Sequence, residues 1–246
     1  MSESRYNRQM LVEGIGEAGQ RRIHKARVAV VGVGALGCAI SDQLVRAGVR
    51  SIRLIDDDVA EISNLQRQVL INENDVRQRT PKALAAADKL RMANSEVEVE
   101  ALVQRFTSEN AKELLSEIDF VFDGTDNFET RYLLNQICFD LGLPWFFGGV
   151  LGMSGLSFPV LPGGPCLQCA IGPRLADDQV PTTSERGVLS SIVATIASIE
   201  VVRALRTMAG DPPPPNLIVV DYQRESFRVI EIECDASCPV CGASRA

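Results

Sequence analysis

Hydrophobic and polar residues along the first part of the chain predict strands that alternate with helices. A β-branched run at Arg27–Val31 predicts a buried strand, a glycine-rich segment follows, and residues 38–47 predict a helix that ends at Gly48. A second apolar run, Ser51–Ile55, predicts the next strand. This order of strand, helix and strand is a βαβ unit, and such units build parallel sheets.

The alternation continues along the rest of the chain. Further helices are predicted at residues 81–92, 108–116, 128–141 and 188–208, and further strands at residues 97–103, 120–123, 145–147 and 155–161. A run of prolines at 212–215 then precedes two last strands, 217–221 and 227–232, which would pair as a hairpin.

We therefore predict an α/β fold. A Rossmann-like, mainly parallel sheet with helices on both faces would continue into an antiparallel C-terminal part. The length of 246 residues fits one domain, with a nucleotide-binding part at about 1–150 and a second part at about 151–246.

Composition and charge exclude several classes of function. A net charge of −7 argues against a surface that mainly binds nucleic acid or anionic lipid. The start of the chain has no apolar signal region and no stretch is long and apolar enough to span a bilayer, so we expect a cytoplasmic protein. The single histidine, His24, disfavours catalytic triads and most His-metal hydrolases.

The segment after the first predicted strand has the dinucleotide-binding pattern Gly32-x-Gly34-x-x-Gly37, and Asp56 follows the second strand. The glycines would let the backbone approach a phosphate group, the helix N-terminus would offer free N–H groups, and Asp56 would accept hydrogen bonds from a ribose. The alternative is a tight strand-to-helix turn without a ligand.

Other charged and polar residues favour ATP over NAD. They are Asp58, Asn64, Arg67, Lys82 and Asp126. Lys82 lies in the first turn of a predicted helix, where a cation opposes the helix dipole, and a bound phosphate would remove that conflict. The alternative is a solvated surface lysine. The polar run at residues 62–68 is unsuited to a buried strand and should line the site.

Asp126 follows a predicted strand in the same way as Asp56. It could hold magnesium on a triphosphate, or it could instead be the N-cap of the next helix.

Two Cys-x-x-Cys pairs, Cys166/Cys169 and Cys238/Cys241, have the spacing of a tetrahedral four-sulfur zinc site. Such a closed site would be structural and would hold the C-terminal strands against the sheet. Redox-active pairs of the thioredoxin type are the alternative. Cys38 and Cys138 are expected in the core, and Cys234 is a surface cysteine, an alternate ligand or a redox thiol.

These motifs occur together and in order. Taken as a set, the chain resembles the ThiF/MoeB/HesA adenylyltransferases, bacterial relatives of ubiquitin-activating enzymes, with a pattern most similar to the molybdopterin-synthase adenylyltransferases. The resemblance is carried by the segment Arg5-Tyr6-Asn7-Arg8-Gln9, the glycine motif, residues 63–68, Pro81-Lys82, Thr125-Asp126-Asn127 and both cysteine pairs.

The resemblance implies ATP- and magnesium-dependent adenylation of the C-terminal glycine of a small ubiquitin-fold sulfur-carrier protein ending in Gly-Gly, which would bind the part after residue 150. It implies an active site made of Gly34, Asp56, Asp58, Asn64, Arg67, Lys82 and Asp126. Arg8 matches an arginine that reaches the partner subunit's site, so a homodimer is implied. Where many relatives have a cysteine before a Glu-x-Gly-Val sequence, this chain has Thr183.

Three alternatives stay open from the residues themselves. The glycine motif and Asp56 alone would also suit an NAD-dependent oxidoreductase. An adenylating enzyme of the same fold could act on a peptide or a tRNA, although the negative charge disfavours tRNA. The third alternative is a scaffold that keeps the zinc and has lost the chemistry.

Overall fold

The computed structural model describes residues 5–173 and 183–242, apart from the side chains of residues 183 and 184. The strands within these ranges are β1 Arg27–Val31, β2 Ser51–Ile55, β3 Glu98–Leu102, β4 Phe120–Asp123, β5 Trp145–Leu151, β6 Ser154–Val160, β7 Asn216–Asp221 and β8 Ser226–Glu231. They form one sheet in the order β3-β2-β1-β4-β5-β6-β7-β8.

Helices connect most of these strands. They are α1 Asn7–Met10, α2 Gly16–Ile23, α3 Ala35–Ala47, α4 Glu73–Gln78, α5 Lys82–Ala93, α6 Ala111–Leu114, α7 Phe128–Leu141, α8 Leu167–Ile171, α9 Thr183–Arg186 and α10 Ser190–Ala209, with a 3-10 helix at Ile62–Asn64. None of the helices in the described ranges is long and apolar enough to cross a membrane.

The pairing of the strands confirms the predicted architecture. Strands β1 to β5 run parallel, and β6, β7 and β8 are antiparallel to their neighbours. The chain builds β2 and β3 on one side of β1 and then returns to place β4 on the other side. This reversal opens a crevice at the carboxyl ends of β1 and β4, the place where open α/β sheets bind ligands.

Helices cover both faces of the sheet because side chains in each strand alternate between the faces. On one face Val28 and Val30 pack with α3, α5 and α10, and the rings of Phe122 and Phe146 stack at 5.2 Å. On the other face Val31 packs with α6, α7, α8 and the cysteine pairs. Burial of these apolar side chains is the main source of stability.

Two differences from the predicted elements have a local cause. Helix α4 was missed because five of its six residues are polar. Its start is fixed by Asn72, whose side chain accepts hydrogen bonds from the N–H groups of Asn74 and Asp75. Strand β5 continues to Leu151, beyond the predicted end at 147, because β6 pairs with it through Gly148 and Gly149. Glycine is a poor strand former, so the sequence did not indicate this extension.

Glu200 on α10 has an unusual environment. Its side chain is fully buried, and neither carboxyl oxygen has a hydrogen-bond partner in the part of the chain that the structure describes. A Cβ atom on Gly148 would lie only 1.9 Å from Oε1 of Glu200, so the carboxyl group occupies the space that a side chain at Gly148 would need. Burial raises the pKa of Glu200 well above its usual 4.5, and Asp123 acts in the same direction, whereas Arg131 and Arg203 oppose it. The folded protein therefore keeps the proton of Glu200 to a higher pH than the unfolded chain does.

The buried acid predicts a pH-dependent stability. The folded state keeps the proton of Glu200 while the unfolded chain loses it, so wild-type stability falls as the pH rises from about 5 toward the folded pKa. Glu200→Gln removes this loss. In urea unfolding, the stability of the variant relative to wild type should rise by up to about 1.4 kcal/mol per pH unit. The exposed control Glu113→Gln should differ from wild type by an amount that does not change with pH. The same behaviour in Glu200→Gln would contradict this prediction.

Candidate active site and metal centre

The glycine motif brings two loops of the crevice into contact. Gly32 has a φ of +87°, and a Cβ atom there would lie 2.7 Å from the carbonyl carbon of Gly124, which follows β4. A Cβ atom on Gly37 would lie 1.9 Å from the carbonyl oxygen of Gly32. These two glycines are therefore required by packing.

Gly34 is different from the other two glycines of the motif. It is the N-cap of α3 and has a negative φ of −82°. A Cβ atom there would meet only the carbonyl oxygen of Gly124, at an ordinary contact distance of 3.5 Å. Its place at the start of a 13-residue helix suits close approach of an anion, because the first N–H groups of a helix have no partner within it.

Asp56 joins the end of β2 to the glycine motif. Its Oδ2 accepts a hydrogen bond of 2.6 Å from the N–H of Val33, and its Oδ1 accepts one of 2.8 Å from the N–H of Asp58. Burial raises the pKa of Asp56, whereas these two N–H groups and Lys82 lower it. The carboxylate therefore orients the glycine loop as well as facing the crevice.

Lys82 and Asp58 form an ion pair of 2.7 Å between Nζ and Oδ2. The Lys82 side chain is only 10% exposed and that of Asp58 is 67% exposed. The alternative of a solvated surface lysine is therefore wrong. Asp58 also relieves the conflict between the Lys82 cation and the helix dipole, so a bound phosphate is not the only anion that can do so.

Asn64 and Arg67 lie in one turn after β2. Asn64 is buried, and its Oδ1 accepts a hydrogen bond of 3.2 Å from the N–H of Glu61. Arg67 donates from Nη1 to the carbonyl oxygen of Ser63 at 2.8 Å. The contacts of both side chains are local, so the structure fixes their turn without linking them directly to Lys82 or Asp126.

Asp126 lies in the loop between β4 and α7, two residues after Gly124. The alternative role as a helix N-cap is wrong, because the N-cap is Asn127, whose Oδ1 accepts a hydrogen bond of 2.9 Å from the N–H of Thr130. Asp126 is exposed and has no hydrogen bond within the described ranges. A carboxylate in this position can coordinate a hard cation.

Sequence reasoning missed the buried pair that supports this loop. Arg131 on α7 donates to Oδ2 of Asp123 at 3.0 Å and to the carbonyl oxygen of Thr125 at 2.7 Å, and its guanidinium lies over the Phe147 ring. Burial raises the pKa of Asp123, whereas Arg131 lowers it. The available signal was the spacing of Arg131 and Asn135, which places two polar residues on one buried face of the helix.

Arg8 lies far from the glycine motif of its own chain. Gln9, the next residue on α1, donates to the carbonyl oxygen of Ala47 at 3.1 Å, and Tyr6 packs against Gly48. Both contacts are at the C-terminal end of α3, and the 13 residues of that helix span about 20 Å. Arg8 is exposed at this far end and is not brought together with the other predicted site residues.

The four predicted zinc ligands form one cluster in which all sulfur atoms lie within 4.8 Å of one another. The distances between Sγ atoms are 4.0 Å for Cys166–Cys169, 3.5 Å for Cys166–Cys238 and 3.4 Å for Cys169–Cys241. Tetrahedral zinc with four thiolates places its sulfurs about 3.8 Å apart. The donor set and its spacing therefore fit a structural zinc ion.

The environment of the cluster differs among its thiols. Burial raises the pKa of Cys166, while the N–H of Cys169 and the adjacent Asn135 amide lower it. At Cys238 burial is outweighed by the N–H groups of Cys241 and Val240, which bring its pKa to about 7. Backbone N–H groups that favour a thiolate are typical of zinc knuckles.

The remaining cysteines lie apart from this cluster. Cys38 and Cys138 are fully buried in the core, as predicted. Burial raises the pKa of Cys38 to about 12, which leaves it unreactive. Cys234 is half-buried and does not belong to the four-sulfur cluster.

Comparisons with known proteins place the chain in a family. The ThiF family model matches residues 6–240. The chain belongs to the ThiF family. It is 40% identical to the sulfur carrier protein ThiS adenylyltransferase of Bacillus subtilis, over 97% of this chain and 71% of that protein. It is 34% identical to the molybdopterin-synthase adenylyltransferase of Escherichia coli, over 97% of this chain and 96% of that protein.

A solved structure of Escherichia coli MccB with MccA-N7isoASN has the same fold as this ThiF-family chain. The TM-score is 0.84 and the identity 21%, over 98% of this chain and 75% of that one. This likeness concerns the fold alone. The departure at Thr183 lies in the first residue of α9, and its side chain lies outside the described residues.

From the four-cysteine cluster we expect the purified protein to contain one zinc ion per chain. Cys238→Ser should lose the zinc and several kcal/mol of stability, because the ion joins two segments that are distant in sequence. Cys234→Ser, four residues away and outside the cluster, should keep both. Elemental analysis and urea unfolding of the purified proteins check this prediction. Wild-type protein without zinc would contradict it.

Proposed function

We propose that this protein adenylates the C-terminal glycine carboxylate of a small ubiquitin-like sulfur-carrier protein with ATP and releases pyrophosphate. The observation that carries the proposal is the set of charged side chains at the crevice of a ThiF-family sheet. Asp56, Asp58, Lys82 and Asp126 follow or face the carboxyl ends of three neighbouring strands. The two curated relatives named above are the sulfur carrier protein ThiS adenylyltransferase and the molybdopterin-synthase adenylyltransferase.

The inventory of side chains suits this reaction. A carboxylate is already ionised at neutral pH and needs no general base to attack the α-phosphorus of ATP. The difficult part is to bring two anions together and to stabilise charge on the leaving pyrophosphate. Lys82 and Arg67 carry the positive charge for this role. Because the reaction needs no general base, the presence of a single histidine in the chain is no obstacle to it.

The ion pair of Lys82 with Asp58 gives the lysine a resting position. The ammonium group is held beside the crevice by a largely exposed carboxylate at 2.7 Å. A phosphate group that enters can share this ammonium with Asp58, since a lysine has three donors. The N–H groups at the start of α3 would contact a second part of the phosphate chain.

Asp126 is the proposed magnesium ligand. Its carboxylate is exposed at the crevice, and the loop that carries it is fixed by Arg131, which bonds to both Asp123 and the carbonyl oxygen of Thr125. Magnesium usually takes one or two protein carboxylates together with phosphate oxygens. When bound it would supply charge neutralisation on the triphosphate.

We infer a homodimer in which Arg8 completes the partner subunit's site. The anchoring of α1 at the C-terminal end of α3, about 20 Å from the glycine motif, is too far for an arginine side chain to act within its own subunit. Arg8 is exposed there, which suits a contact with a second chain.

The part of the chain after residue 150 offers a surface for the carrier protein. Strand β8 is an edge strand with three exposed apolar side chains, Phe227, Val229 and Ile230, and the nearby Tyr222 is also exposed. Exposed apolar patches at sheet edges are typical of protein interfaces.

Because Thr183 replaces the cysteine of many relatives, the reaction would stop at the adenylate, and another protein would deliver sulfur.

No particular observation favours the alternatives. An NAD-dependent oxidoreductase would use the glycine motif and Asp56 but would leave Lys82, Asp126 and the sulfur cluster without a role. A tRNA substrate is disfavoured by the net charge of −7. A peptide substrate would use the same site chemistry, and the carrier-dependence of the reaction distinguishes it.

Arg67→Ala and Asp126→Ala should each abolish carrier-dependent ATP–pyrophosphate exchange. Each variant removes a charge that faces the triphosphate, and the expected loss is at least about 100-fold. Exchange of radiolabelled pyrophosphate into ATP, with purified ubiquitin-fold proteins ending in Gly-Gly, measures the effect.

Two surface variants control for charge alone. Arg46→Ala removes an arginine paired with Asp42 on α3, and Asp88→Ala removes an aspartate paired with Arg91 on α5. Both should keep wild-type exchange. Full activity in Arg67→Ala or Asp126→Ala would remove that residue from the site, and hydride transfer with NAD but no exchange with any carrier would reject the proposal.

The homodimer predicts complementation between inactive variants. Arg8→Ala and Arg67→Ala should each be inactive alone. After subunit exchange, a mixed dimer has one site with Arg67 from one chain and Arg8 from the other, so about a quarter of all sites should recover at equal amounts. Exchange activity of the mixture checks this. A mixture that stays inactive although mixed dimers form would show that Arg8 does not act across the interface.

A further inference from the structure

Asn135 on α7 contacts the first cysteine pair from a fully buried position. Its Oδ1 accepts a hydrogen bond of 2.9 Å from the N–H of Leu167, the residue after Cys166. Cys166 is the N-cap of α8, and its side chain accepts no capping hydrogen bond. The side-chain oxygen of Asn135 takes the place of a capping side chain, because it accepts the hydrogen bond from the N–H of Leu167.

The other half of the Asn135 amide has no oxygen or nitrogen partner among the described residues. Its Nδ2 is buried there without a hydrogen-bond acceptor. A buried amide donor that is left unpaired is destabilising, so a native structure rarely retains one without a role. The hydrogen bond to the N–H of Leu167 holds the amide next to Cys166. A thiolate at the Cys166 sulfur is an acceptor for the orphaned N–H.

Metal binding creates this acceptor. Cys166 is 1% exposed, so water contributes little to stabilising its charge. Zinc requires thiolates, and in metal sites the remaining charge of each ligand is held by N–H donors around it. Beside the first pair, the buried side-chain amide of Asn135 is available as such a donor.

We propose that Asn135 is a positioning residue of the zinc site, whose Nδ2 donates to the zinc-bound Cys166 thiolate while its Oδ1 holds the backbone of the same turn. Asn135 does not bind the metal. It fixes one ligand and links the centre to α7, which begins beside Asp126 and carries Arg131 one turn earlier.

The proposal rests on the assignment of the four cysteines to zinc and is independent of the adenylation reaction. An enzyme that fails to adenylate any carrier would leave the metal measurements interpretable. Protein without zinc would remove the proposal together with the zinc assignment.

Asn135→Asp tests the donor. The substitution keeps the size of the side chain and the oxygen that accepts from Leu167, but it replaces the N–H donor with a second oxygen and adds a negative charge when the carboxyl group is ionised. The uncharged Asn135→Ala variant also lacks the donor and therefore controls for that charge. Competition with a chromophoric chelator, starting from the zinc-loaded protein at neutral pH, should show a dissociation constant for zinc that is about 10–100-fold higher than in wild type. If Asn135 only held the backbone of Leu167, the zinc affinity would not change.

A spectroscopic measurement and two further variants complete the experiment. In cobalt-substituted Asn135→Asp, loss of the N–H···S hydrogen bond should shift the sulfur-to-cobalt charge-transfer band relative to wild type. The same shift is expected in Asn135→Ala, which replaces the first variant if that one does not fold. Gln136→Ala, on the exposed side of α7, is the matched control and should have the wild-type affinity and spectrum. Wild-type affinity and an unshifted band in the Asn135 variants would overturn the proposal.

Discussion

The close contact between the loop after β1 and the loop after β4 is the constraint on which the crevice depends. Gly32 and Gly124 approach so nearly that neither could carry a side chain, and Gly37 lets α3 start directly above the same point. Because these backbones touch, the end of β2 can reach the glycine loop through Asp56, and Asp126 follows β4 at the same edge. A side chain at this contact would separate both halves of the site.

Buried charge is arranged differently on the two faces of the sheet. On the face of α7, Asp123 and Arg131 satisfy each other and fix the loop before Asp126. On the face of α10, Glu200 has no hydrogen-bond partner among the described residues and its pKa is raised by burial, while Arg203 donates to the carbonyl oxygens of Ser157 and Asn216. A paired charge can be kept in the interior and an unpaired one is neutralised, as the cost of burying ions requires.

Most elements of the fold were predictable because they have a local pattern. Most strands carry β-branched, aromatic or alternating apolar residues, and the four cysteines have the fixed spacing of metal knuckles. The ion pair of Lys82 with Asp58 and the contacts of Arg131, Asn135 and Glu200 could not be predicted in this way. They join residues from different elements, and only the packing of helices against the sheet decides which side chains meet.

A zinc ion that stayed bound to the four cysteines during unfolding would also restrict the unfolded chain. Cys166 and Cys238 are 72 residues apart, and a link between them closes a long loop. For a covalent cross-link of this length the lost chain entropy corresponds to about 4 kcal/mol at 25 °C. A zinc ion would impose a similar restriction, but one that is insensitive to reductants and follows the concentration of free metal. The persistence of the C-terminal strands would thus be set by zinc supply.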